Sequence, residues 1–506
     1  LTQRVAEVPR ALQVLVKASA RGDDAAANCA TVLARAVDAQ PRVARRLAEL
    51  PGALPALVAA VAARGVAAAA SAAVLVKVPE ARPGFARHAP GAPGVLSALV
   101  TAMAGGSAAQ VTGALALALM AQKEQGLARR VAEEPRALPA LVAAMKAGGG
   151  AAMNAAAALF TLTMAEPDLA QRVGETPGIL PALVGAVAAG GDGGFKCAVV
   201  LSMIASCGPG LARRVAEVPR AVAVLVAALA AGGDVAKAGA MTLQSIARAE
   251  PGMARRVAGE PGALQALVAA MADGIAATEC AAALCTITGG GQALAQRVAE
   301  TLGALRALVA ATAAGGDAAL HGAKALLRIT VGDPPLAWRV AEAPGLVPAL
   351  AAAMASGGDA AVSSVIVMMK MADVDEDLPA RVAEVPRALS SLVAAMGGGR
   401  EHAPSCCSAA LVHIVVAGPA FQQRVAETPR ALPALVAAMA AGGDAAFNRT
   451  AVLCGIAKGG PGLAQRVAEA RGALPALVPA GASGGDQAEQ AQPTPDPNRK
   501  YAEDAA

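Results

Sequence analysis

Four residues between positions 402 and 413 are of the types that bind zinc: His402, Cys406, Cys407 and His413. Imidazole and thiolate are the usual ligands of a tetrahedral zinc ion. Two adjacent cysteines seldom converge on one metal, however, and His413 also falls in a repeating pattern, so no metal is expected. A second concentration is acidic: Asp373, Asp375, Glu376 and Asp377. Paired carboxylates can act as general acid and base when their surroundings drive their pKa values apart. These four fall in a linker and are expected to stay solvated. Gly-Gly-Asp turns at Asp192, Asp234, Asp317 and Asp359 could cradle a phosphate, but no strand precedes them and no Gly-Lys-Ser/Thr ending follows, so a P-loop is not indicated. The chain has four histidines, and no Ser-His-Asp or Cys-His arrangement stands out. The expectation is a protein that is not an enzyme and carries no cofactor.

The elements that position these residues are repeated. Arg-Val-Ala-Glu, or a near copy, begins at Arg4, Arg46, Arg130, Arg172, Arg214, Arg256, Arg297, Arg339, Arg381, Arg424 and Arg466. Apart from one double interval between Arg46 and Arg130, filled by a degenerate copy near Arg87, the starts lie 41 to 43 residues apart. Such a period marks a solenoid, in which one unit cannot bury its own apolar face and neighbours must stack. The unit from Pro419 to Gly460 predicts three helices. A short one carries Phe421 to Glu427. Pro429 and Arg430 break the chain, and a second helix follows over 431–441. Its Leu432, Leu435, Val436 and Met439 lie at i, i+3, i+4 and i+7, one apolar face, and Pro433 sits in its first turn, where a missing N–H costs little. Gly442-Gly443 ends that helix, and Asp444 is placed to cap a third running to about Ala457, with Val452, Leu453 and Ile456 buried. The Arg and Glu of the repeated motif stand three apart and are expected to pair on the surface of the first helix.

Three helices in a unit of about 42 residues, with the second-helix string Gly-Ala-Leu-Pro-Ala-Leu-Val intact at residues 52–58 and 472–478, resemble the armadillo family of importin-α and β-catenin. The resemblance covers residues 1 to about 480. It implies an all-α fold, a right-handed superhelical solenoid of eleven to twelve three-helix repeats, which would make residues 1–482 one array. Residues 483–506, polar and rich in proline, read as a disordered tail. The first residue is Leu1 rather than Met, so the array reads as truncated at its N-terminus.

In armadillo proteins the third helices line a concave groove that holds extended segments of partners, so the resemblance places the binding site on residues of the third helix that differ from unit to unit. Counting back from the recurrent apolar position near the end of that helix (Ile456 in the unit above), the positions one, five and eight earlier share a stripe. The stripe is basic toward both ends, with Arg35 and Lys77 at one and His321, Lys324, Arg328, Lys370 and His413 at the other. Its centre, with Leu119, Met203 and Met241, is apolar. His321, Lys324 and Arg328 crowd three basic groups onto one face, where they repel each other unless an anion is present. The partner expected is another protein offering an extended acidic or mixed acidic and hydrophobic segment. The asparagine and tryptophan ladders with which importin-α-like members grip basic peptides are missing: the two positions read Thr161, Met203, Ser245 and Ala157, Val199, Met241 in successive units.

Composition narrows the remaining classes. Apolar residues make up 56% of the 506 residues, aromatics only 1%, and the net charge is +5 with Arg and Glu interspersed. Neither a strong basic stripe nor interleaved aromatics is present, so nucleic acid is not an expected partner. Gly, Pro or a charge interrupts nearly every apolar stretch before a membrane span is reached, and no small-molecule substrate is indicated. Eight scattered cysteines suit a reducing compartment, the cytoplasm or nucleus. The function expected is a non-catalytic scaffold or adaptor. A nuclear transport receptor of the importin-α type is one alternative. The other is the substrate-binding part of a larger ubiquitin ligase whose catalytic domain lies upstream.

Overall fold

The computed structural model describes residues 8–21, 24–50, 52–62, 66–81, 95–103, 110–111, 113–118, 127–274, 276–331, 333–396, 403–439 and 444–470. The copy near Arg87, Leu119, His402 and the 483–506 tail lie outside them. Every regular element among the described residues is a helix, and no strand occurs.

The helices recur as a short, a medium and a long one, as the sequence pattern requires. In the unit read above they are Pro419–Glu427, Ala431–Met439 and Asp444–Lys458. Leu432, Leu435 and Val436 are buried, and Val452, Leu453 and Ile456 are wholly so. Alanine is the best helix former and allows close helix approach, and the interior is accordingly built from alanine with leucine, valine and isoleucine. None of the described aromatic side chains is buried.

Two local expectations are corrected. The aspartates of the Gly-Gly-Asp junctions do not cap the third helix. Asp192, Asp234, Asp317 and Asp359 sit one residue inside it, and no side-chain bond caps these helices. The cap is the first glycine: Gly190, Gly232, Gly315 and Gly357 take φ between 70 and 83°, a region costly for residues with a Cβ. The aspartate still faces the positive end of the helix dipole from the first turn. In four units the repeated Arg reaches the preceding unit and not the Glu three residues on. Arg172, Arg297, Arg339 and Arg466 donate through Nη2 to the carbonyls of Ala132, Ala258, Ala299 and Ala426, at 2.8, 2.8, 3.1 and 3.2 Å. Each acceptor belongs to the last turn of the preceding first helix, where carbonyls lack an intrahelical donor and a cation is favoured. The motif glutamates take the preceding glutamine instead: Gln171 to Glu175, Gln296 to Glu300, Gln423 to Glu427 and Gln465 to Glu469, at 2.8 to 3.0 Å.

The chain divides into two compact units, residues 1–253 and 254–506. In the first, the long helix Asp24–Ala39 packs on Val66–Ala81, Gly149–Ala165 packs on Gly191–Ser206, and that helix on Gly233–Ala249. In the second, Ala277–Thr288, Gly316–Thr330, Gly358–Ala372, Ala403–Val416 and Asp444–Lys458 pack each on the next. Neighbour-on-neighbour packing of this kind is that of an α-solenoid.

Candidate functional site: the open faces of the third helices

A long helix flanked by similar helices buries most of its surface and leaves one strip open. In Gly149–Ala165 the partly or fully exposed positions are Met153, Asn154, Ala157, Phe160, Thr161 and Met164, besides residues of its end turns. Most of the same offsets are open in the other long helices, but Ala238, Ser245, Ala282, Ser363 and Cys406, which fall on the stripe chosen from the sequence, are buried. The stripe is half of the open face. The offsets nine and two before the reference position complete it, and they carry Met153, Phe160 and Phe195, which the sequence reading passed over. Part of the signal was available: of the few aromatics in a chain that is 1% aromatic, Phe160, Phe195 and Phe447 fall on third helices, while Trp338 and Phe421 fall on first helices.

On Gly149–Ala165, Gly191–Ser206 and Gly233–Ala249 this face is mixed, with large apolar side chains beside Asn154, Thr161, Lys196, Lys237 and Gln244. Met153 is 49% exposed, Met164 54% and Met241 37%. Val199 and Met203 are half-buried between them in sequence. The rings of Phe160 and Phe195, on adjacent helices, lie 6.2 Å apart between centroids at 48°, within the range of favourable aromatic pairs. Arg35 and Lys77 are exposed on their own helices.

In the second unit the face carries basic groups on Gly316–Thr330 and Gly358–Ala372, beside apolar ones such as Ile366 and the exposed Phe447. His321, Lys324 and Arg328 are all half-buried on Gly316–Thr330. Their crowding is relieved locally. Arg328 Nη1 donates to the Cys285 carbonyl at 2.6 Å and lies 3.3 Å from Cys285 Sγ, so its charge meets the carbonyl end of Ala277–Thr288 and needs no external anion. Burial pushes the Cys285 thiol up, against the smaller lowering effects of Arg328 and then Lys324. Lys370 Nζ stands 3.9 Å from Asp373 Oδ2, and His413 is exposed. Beyond the third helices, a cavity of about 470 Å³ opens beside the second helices Leu346–Ser356 and Ala388–Met396, lined among others by Met354, Arg387, Ser390 and Ser391.

The residues that raised chemical possibilities are otherwise occupied. Cys406 and Cys407 are buried, and their thiols are pushed up to about 11 and about 12 by desolvation. Among the described residues no group of three or more metal-ligating side chains forms. The acidic linker is not wholly solvated: Asp375 Oδ2 accepts from Arg381 Nη2 at 2.8 Å, and Asp375 Oδ1 from the Asp377 amide at 3.2 Å. No described helix is long and apolar enough to cross a membrane.

No protein-family model matches the chain, and no curated protein matches it. Among solved structures it is similar to a crystal structure of an engineered protein, with a TM-score of 0.59 at 18% identity, over 89% of this chain and 99% of that one. At that identity the likeness concerns the fold alone.

Proposed function

We propose that the chain is a non-catalytic protein-interaction scaffold of the armadillo type. In this reading its units continue as a right-handed superhelix of eleven to twelve three-helix repeats, and the open faces of the third helices line the concave side. The cell compartment would be the cytoplasm or nucleus. The observation that carries the reading is the placement of large side chains. Phe160, Phe195 and Phe447, with Met153 and Met241, stand partly or largely exposed on third helices, whereas no described aromatic ring is buried and the interior is filled by aliphatic residues and methionines such as Met354 and Met368. Aromatic and methionine side chains are enriched at protein interfaces relative to the rest of the surface. Lys324 and Lys370 add positive charge to the second unit's face, suited to a partner segment with acidic as well as apolar residues.

Selection from a displayed peptide library tests this, with the full chain run beside a Lys324→Glu/Lys370→Glu variant. Acidic, partly apolar peptides should be enriched on the parent and lost on the variant. Enrichment of the same peptides on both, or of none on either, would remove the third-helix face of the second unit as a binding surface.

A further inference from the structure

The side chains that bridge successive first helices recur with the repeat, so the joints of the second compact unit can be compared with one another. The repeated Arg crosses a joint at Arg297, Arg339 and Arg466, each onto the last turn of the preceding first helix. The residue before it supplies a second bridge. Arg129 meets Glu166 at 3.1 Å and Arg213 meets Glu250 at 3.0 Å, each acid standing in the linker that opens the next repeat. Between the repeat that begins at Pro334 and the one that begins at Leu378, neither bridge forms. Arg381 Nη2 turns back to Asp375 Oδ2, 2.8 Å away in the linker of its own repeat, and does not reach Ala341, the counterpart of Ala299. Trp338, half exposed, stands where Arg129 and Arg213 stand. It has no charge to offer Asp375, the counterpart of Glu166 and Glu250. The next joint is held through its third helices, where the buried Arg449 donates from Nε to Ser408 Oγ at 3.2 Å.

Packing is loosest at the same place. The cavity of about 470 Å³ opens across this joint, with Met354 and Val362 on one wall and Arg387, Ser391 and Ala394 on the other. The dispersion contacts of a close-packed joint are lost there. The third helices Gly358–Ala372 and Ala403–Val416 share the smallest contact of the successive pairs in this unit. The linker across the joint, residues 373–377, is the longest described between a third helix and the following first helix. We infer that this joint is a hinge, the place where the second compact unit flexes, and that Arg381 is its latch. A solenoid opens at its weakest nearest-neighbour interface. On Asp375 the arginine leaves the joint free; on the Ala341 carbonyl it closes it, as Arg339 closes the joint before. Flexure changes the spacing between the open faces that carry Lys370 and His413.

Amide hydrogen exchange on the full chain tests this, with Trp338→Arg, Asp375→Asn and Trp338→Gln variants. Trp338→Arg supplies the missing bridge to Asp375. Asp375→Asn keeps an acceptor for the Asp377 amide and frees Arg381 for the Ala341 carbonyl. Trp338→Gln removes the ring without adding a bridge, and Gln296 and Gln423 hold the same position in other repeats. In the parent, Leu378–Glu384 and Ala388–Met396 should exchange together and faster than Gln292–Glu300 and Ala304–Ala313, as a segment that opens without global unfolding. Each bridging variant should slow that exchange about three- to fivefold, the worth of one exposed ion pair or hydrogen bond, and Trp338→Gln should leave it unchanged. Equal protection on the two sides of the joint in the parent, absence of slowing in both bridging variants, or the same slowing with glutamine would overturn the hinge. Faster exchange in Asp375→Asn would overturn it too, by showing that the Asp375 pair holds the joint closed.

Discussion

Arg297 Nη2 donates across 39 residues of sequence to the carbonyl of Ala258, 2.8 Å away. The contact joins the first helices of two successive units, and Arg339 repeats it onto Ala299. Stability in a solenoid is a sum of unit terms and nearest-neighbour interface terms, so a bond between units acts on the term that couples them. Arg297→Met keeps the apolar stem and removes the donor. The expected cost is about 1–2 kcal/mol at that joint, the range for a hydrogen bond to a charged group. Amide hydrogen exchange should speed up in Pro251–Gly259 and Gln292–Glu300 and stay unchanged in distant helices such as Gly149–Ala165. Unaltered protection of both helices would mean that the bond contributes nothing.

Arg220, Arg387 and Arg430 hold φ of 63, 70 and 64° at the turn before the second helix, where Gly178, Gly262, Gly303 and Gly345 stand in other units. A left-handed conformation costs a non-glycine residue about 1–2 kcal/mol. Changing the three arginines to glycine should therefore raise the urea midpoint, and Gly262→Arg should lower it. A midpoint that falls with arginine removed would indicate that these side chains make compensating contacts.

Arg328 and Lys324 share a helix face but are held differently. Replacing Arg328 by Ala removes the donor to the Cys285 carbonyl, and should cost about 1–2 kcal/mol. Lys324→Ala should change stability by less than about 0.5 kcal/mol and act instead on peptide selection. Urea unfolding of the two variants side by side distinguishes the roles. Equal destabilisation would show Lys324 to be structural as well.

Burial pushes the thiols of Cys197, Cys280 and Cys407 up from 9.0 to about 12. The unfolded chain then releases these protons near pH 9, while the folded chain keeps them to about pH 12. The unfolded state binds fewer protons in that window, so stability falls as pH rises from about 9 toward 12. Urea midpoints taken at pH 8, 9 and 10 should decline, and the decline should shrink in a variant with these three cysteines replaced by alanine. At pH 8 a thiol reagent should reach the exposed Cys207 and Cys454 well before the three buried ones. Modification of Cys197 at a comparable rate would contradict its enclosure.

The local fold was legible in the sequence because helix-forming alanine, glycine punctuation and apolar spacing at i, i+3, i+4 and i+7 are local signals, repeated often enough to average out error. Leu432, Leu435 and Val436 on one helix, and Val452, Leu453 and Ile456 on the next, are buried as that spacing requires. The open stripe of the third helix was also legible, since a helix of known period and known buried side has a definite opposite side. What only the tertiary structure decided was where long polar side chains end. Arg297 was read against Glu300, its neighbour on the same helix. It reaches instead an unsatisfied carbonyl on another helix, because the end of a helix attracts a cation more strongly than an exposed carboxylate three residues away. Arg328 was read as a charge awaiting an anion, and it is met by the Cys285 carbonyl. In both cases the deciding group lies about forty residues away, at a distance that packing sets and local sequence does not encode.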